Sequence, residues 1–497
     1  MEDTKWTKEQ QDAIDTHDCN LLVAAAAGSG KTAVLVERII KMITDFKNPI
    51  DIDRLLVVTF TNAAASEMKE RIAKAISDEL TKHPKSRQLQ RQLTLINRAS
   101  ITTMHSFCLE VIRNNFHYID LDPNFRIGDE TETILLKGEV IEEMFEEMYE
   151  SEKCSPEFLS LVEFYSSNKN DLELQNIVLN LYNFVMASPN PRDTLIKMAE
   201  DFNVDEDYDF GKSKWAKVLM EGVKIEAIGL KKKMENAIKI INETEGLEPY
   251  LENFQSELNM IKEVIVSTDI SWSSLFDSLE GVKFGKLKPC KKCQDKDAQD
   301  KVKKIREKVK KRLQNDIKMR IISYSSKETA LDLKSLYPVM KALSNLVLEF
   351  MDRYAKAKRD RGIIDFNDFE HFCIDILKHP EVSSRLREKY VEILVDEYQD
   401  SNDVQEAIID FIARKDEATG KNINVFMVGD VKQSIYRFRQ AKPELFLQKY
   451  NTYSTEEGAA ERKIKLFKNF RSRKEILDGT NFIFKHIMSE SVGELEY

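Results

Sequence analysis

The sequence predicts an α/β protein, a doubly wound parallel sheet interrupted by a large, mainly helical insertion. Three observations predict it. Five short apolar runs carry polar residues at their C-terminal ends, as strands of a parallel sheet covered on both faces do. Helical patterns follow three of these runs. The runs are unevenly spread, three before residue 106 and two after residue 390, with a long helical stretch between them.

The first run, Leu21–Ala25, leads into a Gly-Ser-Gly turn, and a helix is expected over Thr32–Thr44. Leu55–Phe60 is apolar and β-branched and precedes a helix over Ala63–Leu80. Ile101–Met104 is shorter and precedes a helix over Phe107–Asn115. Val391–Val395 ends in Asp396-Glu397, and Asn424–Val428 ends in Gly429-Asp430. Strand and helix in alternation place ligands at the C-terminal ends of the strands. Between residues 120 and 350 the chain reads as long helices, such as Glu130–Glu150 and Thr329–Lys358; a structureless loop of that length is implausible inside a domain. The expected division is 1–120 and 351–455 for the two parts of the sheet domain, 121–350 for the insertion and 456–497 for a further piece.

Composition bounds the function. The 497 residues are enough for several domains, and 42% hydrophobic with 32% charged residues suits a folded soluble chain. A net charge of −10 excludes a surface that coats nucleic acid, so any such contact must be a local patch. Six cysteines are too few for a disulfide scaffold and fit a reducing cytoplasm. The polar start, Met1–Gln11, is no secretory signal, and no apolar run is long enough to span a membrane.

The strongest local signal is Ala25-Ala26-Ala27-Gly28-Ser29-Gly30-Lys31-Thr32. It fits the phosphate-loop pattern between strand and helix, with Ala25 where the first glycine stands. Gly28 and Gly30 supply permissive backbone, so that amides from Ala27 to Thr32 wrap phosphate oxygens. Lys31 would reach the β- and γ-phosphates, and Thr32 would offer its hydroxyl to Mg²⁺. Asp396-Glu397-Tyr398-Gln399-Asp400 supplies the partner carboxylates: Asp396 for Mg²⁺, Glu397 to polarise the attacking water. A third element, Gly429 to Arg439, offers Gln433 as a γ-phosphate sensor. Its Tyr436 and Phe438, interleaved with Arg437 and Arg439, are the mix expected where single-stranded nucleic acid stacks.

These residues together resemble the UvrD/RecB-like superfamily 1 DNA helicases. Gln10 stands where that family reads adenine, and Gly28–Thr32 matches its motif I. Thr59–Ala65, with Met68 and Arg71, matches motif Ia; Thr103–Phe107 matches the next strand-contacting motif. Asp365–Phe369 resembles the segment before motif II. Asp396–Asp400, Gly429–Arg439 and Asn469–Ser472 match motifs II, III and IV. The likeness is closest to the helicase–nuclease A subunits of bacterial AddAB recombination complexes. Three features carry that: the opening Trp6–Gln11, the run Val428–Arg439 and the length of the insertion.

The resemblance implies a RecA-like motor using ATP and Mg²⁺ to move 3′ to 5′ along DNA in double-strand-break repair, beside an AddB-like partner subunit. It implies that Phe60, His105, Tyr436, Phe438 and Arg439 lie along the single strand, with Thr61 and Asn62 contacting its phosphates or positioning the loop. It gives Arg71 a structural place. Phe470 would stack on adenine, and Arg471 would reach the γ-phosphate. The family's motifs V and VI and its nuclease domain do not occur in these 497 residues, so the chain is expected to be part of a longer protein, with 456–497 opening the second motor domain. Two alternatives stay open: a nucleotide-dependent DNA-binding or scaffold module without motor activity, and an unrelated phosphate-loop enzyme such as a small-molecule kinase.

Two features of the insertion have open readings. From Lys283 to Arg312, fourteen Lys and Arg stand against four Asp and Glu. That is either a phosphate-contacting surface for duplex DNA, a face for the partner subunit, or a solvated helix. Cys290-Lys-Lys-Cys293 has metal-ligand spacing but no second Cys/His pair near it, so two ordinary thiols are the simpler reading.

Overall fold

The computed structural model describes residues 6–45, 47–150, 155–165, 170–205 and 207–490. Residues 1–5 of the polar start, Cys154, and 491–497 of the expected second-motor segment lie outside the described residues. The chain divides into two compact units: Met1–Leu195 with Leu343–Ile483, and Ile196–Ala342 with Phe484–Tyr497.

The first unit is built on six parallel strands. These are β1 (Asn20–Ala25), β2 (Leu55–Thr59), β3 (Ser100–Thr103), β6 (Glu392–Val395), β7 (Val425–Gly429) and β8 (Glu461–Leu466), in the order β3-β2-β6-β7-β1-β8. A separate parallel pair, β4 (Arg126–Ile127) with β5 (Ile363–Ile364), joins residues either side of the insertion. The apolar runs are buried on both faces of the sheet, which gives two cores. One gathers Leu56, Phe107, Ile393 and Met427; the other gathers Leu21, Val34, Val57 and Phe426.

The five runs read from the sequence are five of the six strands, each within about a residue of its expected bounds. The sequence pattern does not predict the sixth, β8. It alternates charged and apolar side chains, Glu-Arg-Lys-Ile-Lys-Leu, and burial alternates with it. That is the pattern of an edge strand with one wet face, not of a fully covered one. Three ordered ties hold it. It pairs with β1 from Asn20↔Glu461 to Ala25↔Leu466, Arg462 bonds Asp12 at 2.6 Å, and Ala26 N–H donates to Leu466 O at 2.8 Å.

Helix Lys31–Thr44 follows β1, helix Asn62–Lys82 follows β2 and helix Met104–Asn115 follows β3. Each starts one to three residues before its sequence-expected start. The cap residues Thr61 and Thr103 accept backbone N–H groups with their side chains, at 3.1 and 3.3 Å, which lets each helix open directly at the strand end. Below the sheet, Arg38 is buried against Glu392 and donates to Ala13 O at 2.9 Å, tying the first helix, Lys8–Asp15, to the sheet.

The compact units part at 195/196 and 342/343, inside the stretch 121–350 that the sequence sets apart as an insertion. Helices Glu130–Glu150 and Leu172–Val185 belong to the first unit. Tyr182 packs edge-on to Phe350 and Tyr354 of helix Ser326–Asp360, with ring centroids 5.3 and 5.8 Å apart.

The second unit has its own apolar core. Helices Lys214–Glu243, Leu251–Thr268, Trp272–Glu280 and Lys296–Lys310 bury Leu230, Phe254, Trp272 and Val302. The last of these runs on as wider π-helical turns over Lys311–Ile321. Arg306, counted in the basic run, is a buried structural cation: it pairs with Glu257 and donates to Gly285 O at 2.6 Å. Cys290 and Cys293 are buried in this core, with Gly246 packed against the Cys293 backbone. Among the described residues no group of three or more His, Cys, Asp or Glu converges as metal ligands. No described helix is long and apolar enough to cross a membrane.

Candidate functional site

The phosphate loop lies between β1 and the helix that starts at Lys31. Ala25 closes the strand, buried. Gly28 and Gly30 take positive φ angles of 71° and 85°, the left-handed turns that glycine adopts without steric cost. Three successive carbonyls of the loop are held from outside. Asn469 Nδ2 donates to Ala27 O at 2.8 Å, Phe470 N–H to Gly28 O at 2.9 Å and Gln10 Nε2 to Ser29 O at 2.9 Å. In a planar peptide the N–H points opposite its C=O, so carbonyls drawn outward turn the amides of Gly28 and Gly30 inward. Ser29 N–H is spent on Ala26 O. The first amides of the helix, at Lys31 and Thr32, have no helical acceptor and carry the positive end of its dipole.

Beside the loop, β6 ends in the acidic motif. Lys31 Nζ donates to Glu397 Oε2 at 2.9 Å. Glu397 has φ 51°, a left-handed conformation that costs a non-glycine residue of order 1 kcal/mol; it turns the carboxylate back over the strand end. Asp396 Oδ1 accepts the Glu397 N–H at 3.0 Å. Burial, with the Glu397 charge beside it, pushes the Asp396 carboxyl up to about 6, against the pull of Lys31. Asp400 is pushed to about 6 by the same two causes.

The third element follows β7. Gln433 Nε2 donates to Asp430 Oδ2 at 2.9 Å. Tyr436 packs on Phe60 with centroids 4.3 Å apart and the rings tilted by 31°, and Arg439 lies over the Tyr436 and Phe438 rings at 5.5 and 5.7 Å. One cleft of about 340 Å³ joins the two chemistries. Thr32, Asp396, Glu397 and Gln433 line it together with Phe60, Thr61 and Tyr436. A neighbouring cleft of about 240 Å³ takes in Phe60, His105, Glu370 and Arg439. Asn62, Phe438, Phe470 and Arg471 line neither cleft. Phe438 and Phe470 are exposed at 75% and 63%, open faces for stacking.

Residues 6–454 match the UvrD/REP helicase N-terminal domain. The chain belongs to that helicase family. Over its whole length it is 73% identical to the A subunit of the ATP-dependent helicase/nuclease of Clostridium novyi, covering 40% of that protein. The namesake in Clostridium acetobutylicum is 55% identical over 99% of the chain and 41% of its own length. That in Acetivibrio thermocellus is 52% identical, at 100% and 40%. The chain thus spans about two fifths of the length of the curated relatives it matches.

In this UvrD/REP helicase domain the structure adds site residues that the sequence pattern does not single out. Asn469 has no role of its own in the motif it belongs to, yet it grips the phosphate loop. Gln399, in the acidic motif, donates to Glu397 Oε2 at 2.9 Å. Phe366, 57% exposed, sits edge-on to His105 at 5.9 Å, and Glu370 lies 3.6 Å from the His105 ring nitrogen. An exposed aromatic next to a buried capping box, Asp365 with Asp368, was the available signal. Arg71 lines the main cleft, with an ion pair to Glu67. Gln10 binds Thr7 N–H and Ser29 O, which leaves its amide one donor and one acceptor site. Helicases of this kind imply Mg²⁺, and the donors present fit it: the Thr32 hydroxyl and the Asp396 carboxylate open on one cleft, and both are hard oxygen ligands.

Proposed function

We propose that this chain is the ATP-hydrolysing motor portion of a helicase–nuclease A subunit. It moves 3′ to 5′ on single-stranded DNA in double-strand-break repair and recombination, beside an AddB-like subunit. The observation that carries this reading is the single cleft lined at once by Lys31's partner Glu397, by Asp396 and Gln433, and by Phe60 and Tyr436. A small-molecule kinase has no use for a pair of aromatics at that place.

In this reading the amides of Ala27, Gly28, Gly30, Lys31 and Thr32 and the Lys31 ammonium bind the phosphates of ATP, with Ser29 holding the turn through Ala26 O. Thr32 and Asp396 would hold Mg²⁺, which neutralises charge on the phosphates when bound. Glu397 takes the proton of the attacking water. Lys31 leaves Glu397 for the phosphate, since a γ-phosphate carries more charge than one carboxylate; nucleotide binding thus frees the carboxylate before the water attacks. Arg471 supplies charge to the transferring group. Gln10 and Phe470 flank the adenine. Phe60, His105, Tyr436, Phe438 and Arg439 stack and grip the strand, where each stacked base is worth about 1–3 kcal/mol and any sequence is tolerated. Thr61 and Asn62 meet its phosphates at the helix start. The division 1–120, 121–350, 351–455 and 456–497 is kept as the proposed domain plan.

The test is ATP hydrolysis by the full-length protein with and without single-stranded DNA. Stimulation by DNA, abolished in Lys31→Ala with an unchanged circular dichroism spectrum, supports the motor. Binding of both ligands without stimulation favours a nucleotide-dependent DNA-binding module instead.

A further inference from the structure

Gln399 is 1% exposed, and the roles proposed above make no use of it. Every polar atom of its side chain is engaged. The backbone N–H of Asp430 donates to Oε1 at 2.9 Å, and Nε2 donates to Glu397 Oε2 at 2.9 Å and Asp400 Oδ2 at 3.3 Å. Chemistry fixes this orientation. A backbone N–H can only donate, so the oxygen must face Asp430, and two carboxylates need the NH₂ group. The main-chain carbonyl of Gln399 also accepts from Ser434 Oγ at 3.4 Å. Gly429 stands so close that a methyl group there would overlap Gln399 Oε1. That glycine at the end of β7 makes room for this side chain.

The contacts form one unbroken line. Lys31 Nζ binds Glu397 Oε2, Gln399 binds the same oxygen, Gln399 also holds Asp430, and Asp430 Oδ2 holds Gln433. Three residues on, the same segment carries Tyr436, packed against Phe60. When phosphate draws the Lys31 ammonium away, Gln399 remains the side chain that orients Glu397 Oε2. A buried amide between two carboxylates keeps them apart and aims one of them; an apolar side chain there would leave Glu397 to Lys31 alone and Asp400 to Ser434 alone.

We propose that Gln399 is a positioning residue that aims the Glu397 carboxylate and ties it to the segment bearing Tyr436, so that single-stranded DNA seated on Phe60 and Tyr436 speeds ATP hydrolysis through it. This rests on the motor reading above. Gln399→Met keeps the volume and removes the hydrogen bonds. Gln399→Glu keeps the acceptor for Asp430 and sets a third carboxylate against Glu397 and Asp400. In the full-length protein three quantities are measured: affinity for a fluorescent ATP analogue, kcat for ATP with and without oligo(dT), and the thermal midpoint. In both variants affinity is expected to stay within about twofold while the DNA-stimulated kcat falls about tenfold or more, with the Glu variant at least as slow as the Met variant. Wild-type stimulation retained in either variant overturns the proposal. So does a joint fall of affinity, kcat and thermal midpoint, which marks a packing role. A wild-type protein that DNA does not stimulate overturns the motor reading and this proposal with it; a stimulated wild type with unaffected variants overturns only this one.

Discussion

At the scale of the residue, the phosphate loop is shaped by what grips its carbonyls. Asn469 is the sharpest case: its Nδ2 holds Ala27 O, while its Oδ1 accepts the N–H groups of Arg471 and Ser472, both at 2.8 Å. A Cβ at Gly28 would stand 2.8–2.9 Å from that side chain, on a backbone already at φ 71°. The left-handed backbone alone costs an alanine about 1–2 kcal/mol, which corresponds to roughly tenfold in binding. Gly28→Ala is therefore expected to weaken ATP binding by about tenfold or more in a nucleotide titration. Asn469→Ala removes the obstructing amide, so the double variant should lose less than the two single losses combined; strictly additive losses would show that the two side chains do not meet. The acidic motif yields a second test. The Asp400 carboxyl sits near 6 because burial and the Glu397 charge disfavour its ionisation. The folded protein thus holds a proton there that the unfolded chain, with its ordinary value near 3.8, has released. Stability from this group is full below about pH 4 and is lost as pH rises toward 6. Asp400→Asn does not titrate, so its thermal midpoint minus that of the wild type should climb between pH 4 and 6 and level off above. A flat difference would contradict the raised carboxyl.

At the scale of the element, what could be read depended on how each segment is wetted. The five apolar runs were legible because burial on both faces forces continuous apolar residues; the helix starts were less so, since the caps Thr61 and Thr103 open the helices at Asn62 and Met104, ahead of the expected Ala63 and Phe107. β8 escaped because it shows one face to water and its Lys463 and Lys465 look like loop. Its importance is positional: it pairs beside β1, and three residues past its end comes the Asn469 grip on the loop that β1 feeds. The candidate site was legible wherever local spacing carries the chemistry, as in Gly28–Thr32, Asp396-Glu397 and the aromatic and arginine run from Tyr436 to Arg439. It was not legible where function arises from contacts between distant segments. Asn469 and Ala27 are 442 residues apart, and Lys31 and Glu397 are 366 apart. Nor does spacing reveal that Glu397 adopts a left-handed backbone or that Gln10 spends its amide on a cap and on Ser29.

At the scale of the whole molecule, charge is divided between the parts of the sequence. The chain is acidic overall at −10, yet residues 196–342 carry 29 Lys and Arg against 25 Asp and Glu. Within the run 283–312 the arginines are used inside the unit, Arg306 on Glu257 and Arg312 on Glu226 and Asp316, and Lys288 pairs with Glu252. By contrast Lys291, Lys292, Lys303 and Lys304 have no carboxylate within 4 Å among the described residues, and three of them are exposed with Lys303 half-buried. Exposed ion pairs are worth little whether made or not, so salt dependence is what separates the phosphate-contacting reading from the solvated helix. Phosphate neutralisation releases counterions, so each neutralised phosphate adds about 0.9 to the slope of log affinity against log salt on duplex DNA. Replacing these four lysines with Glu should weaken duplex binding in filter or anisotropy titrations and flatten the slope by about 0.9 for every phosphate no longer neutralised. ATP affinity and its stimulation by single strands should stay as in the wild type, since none of the four lines the cleft of Thr32, Asp396 and Tyr436. An unchanged slope with the second subunit still bound returns the run to the solvated face. An unchanged slope with loss of the second subunit on gel filtration assigns it to the partner.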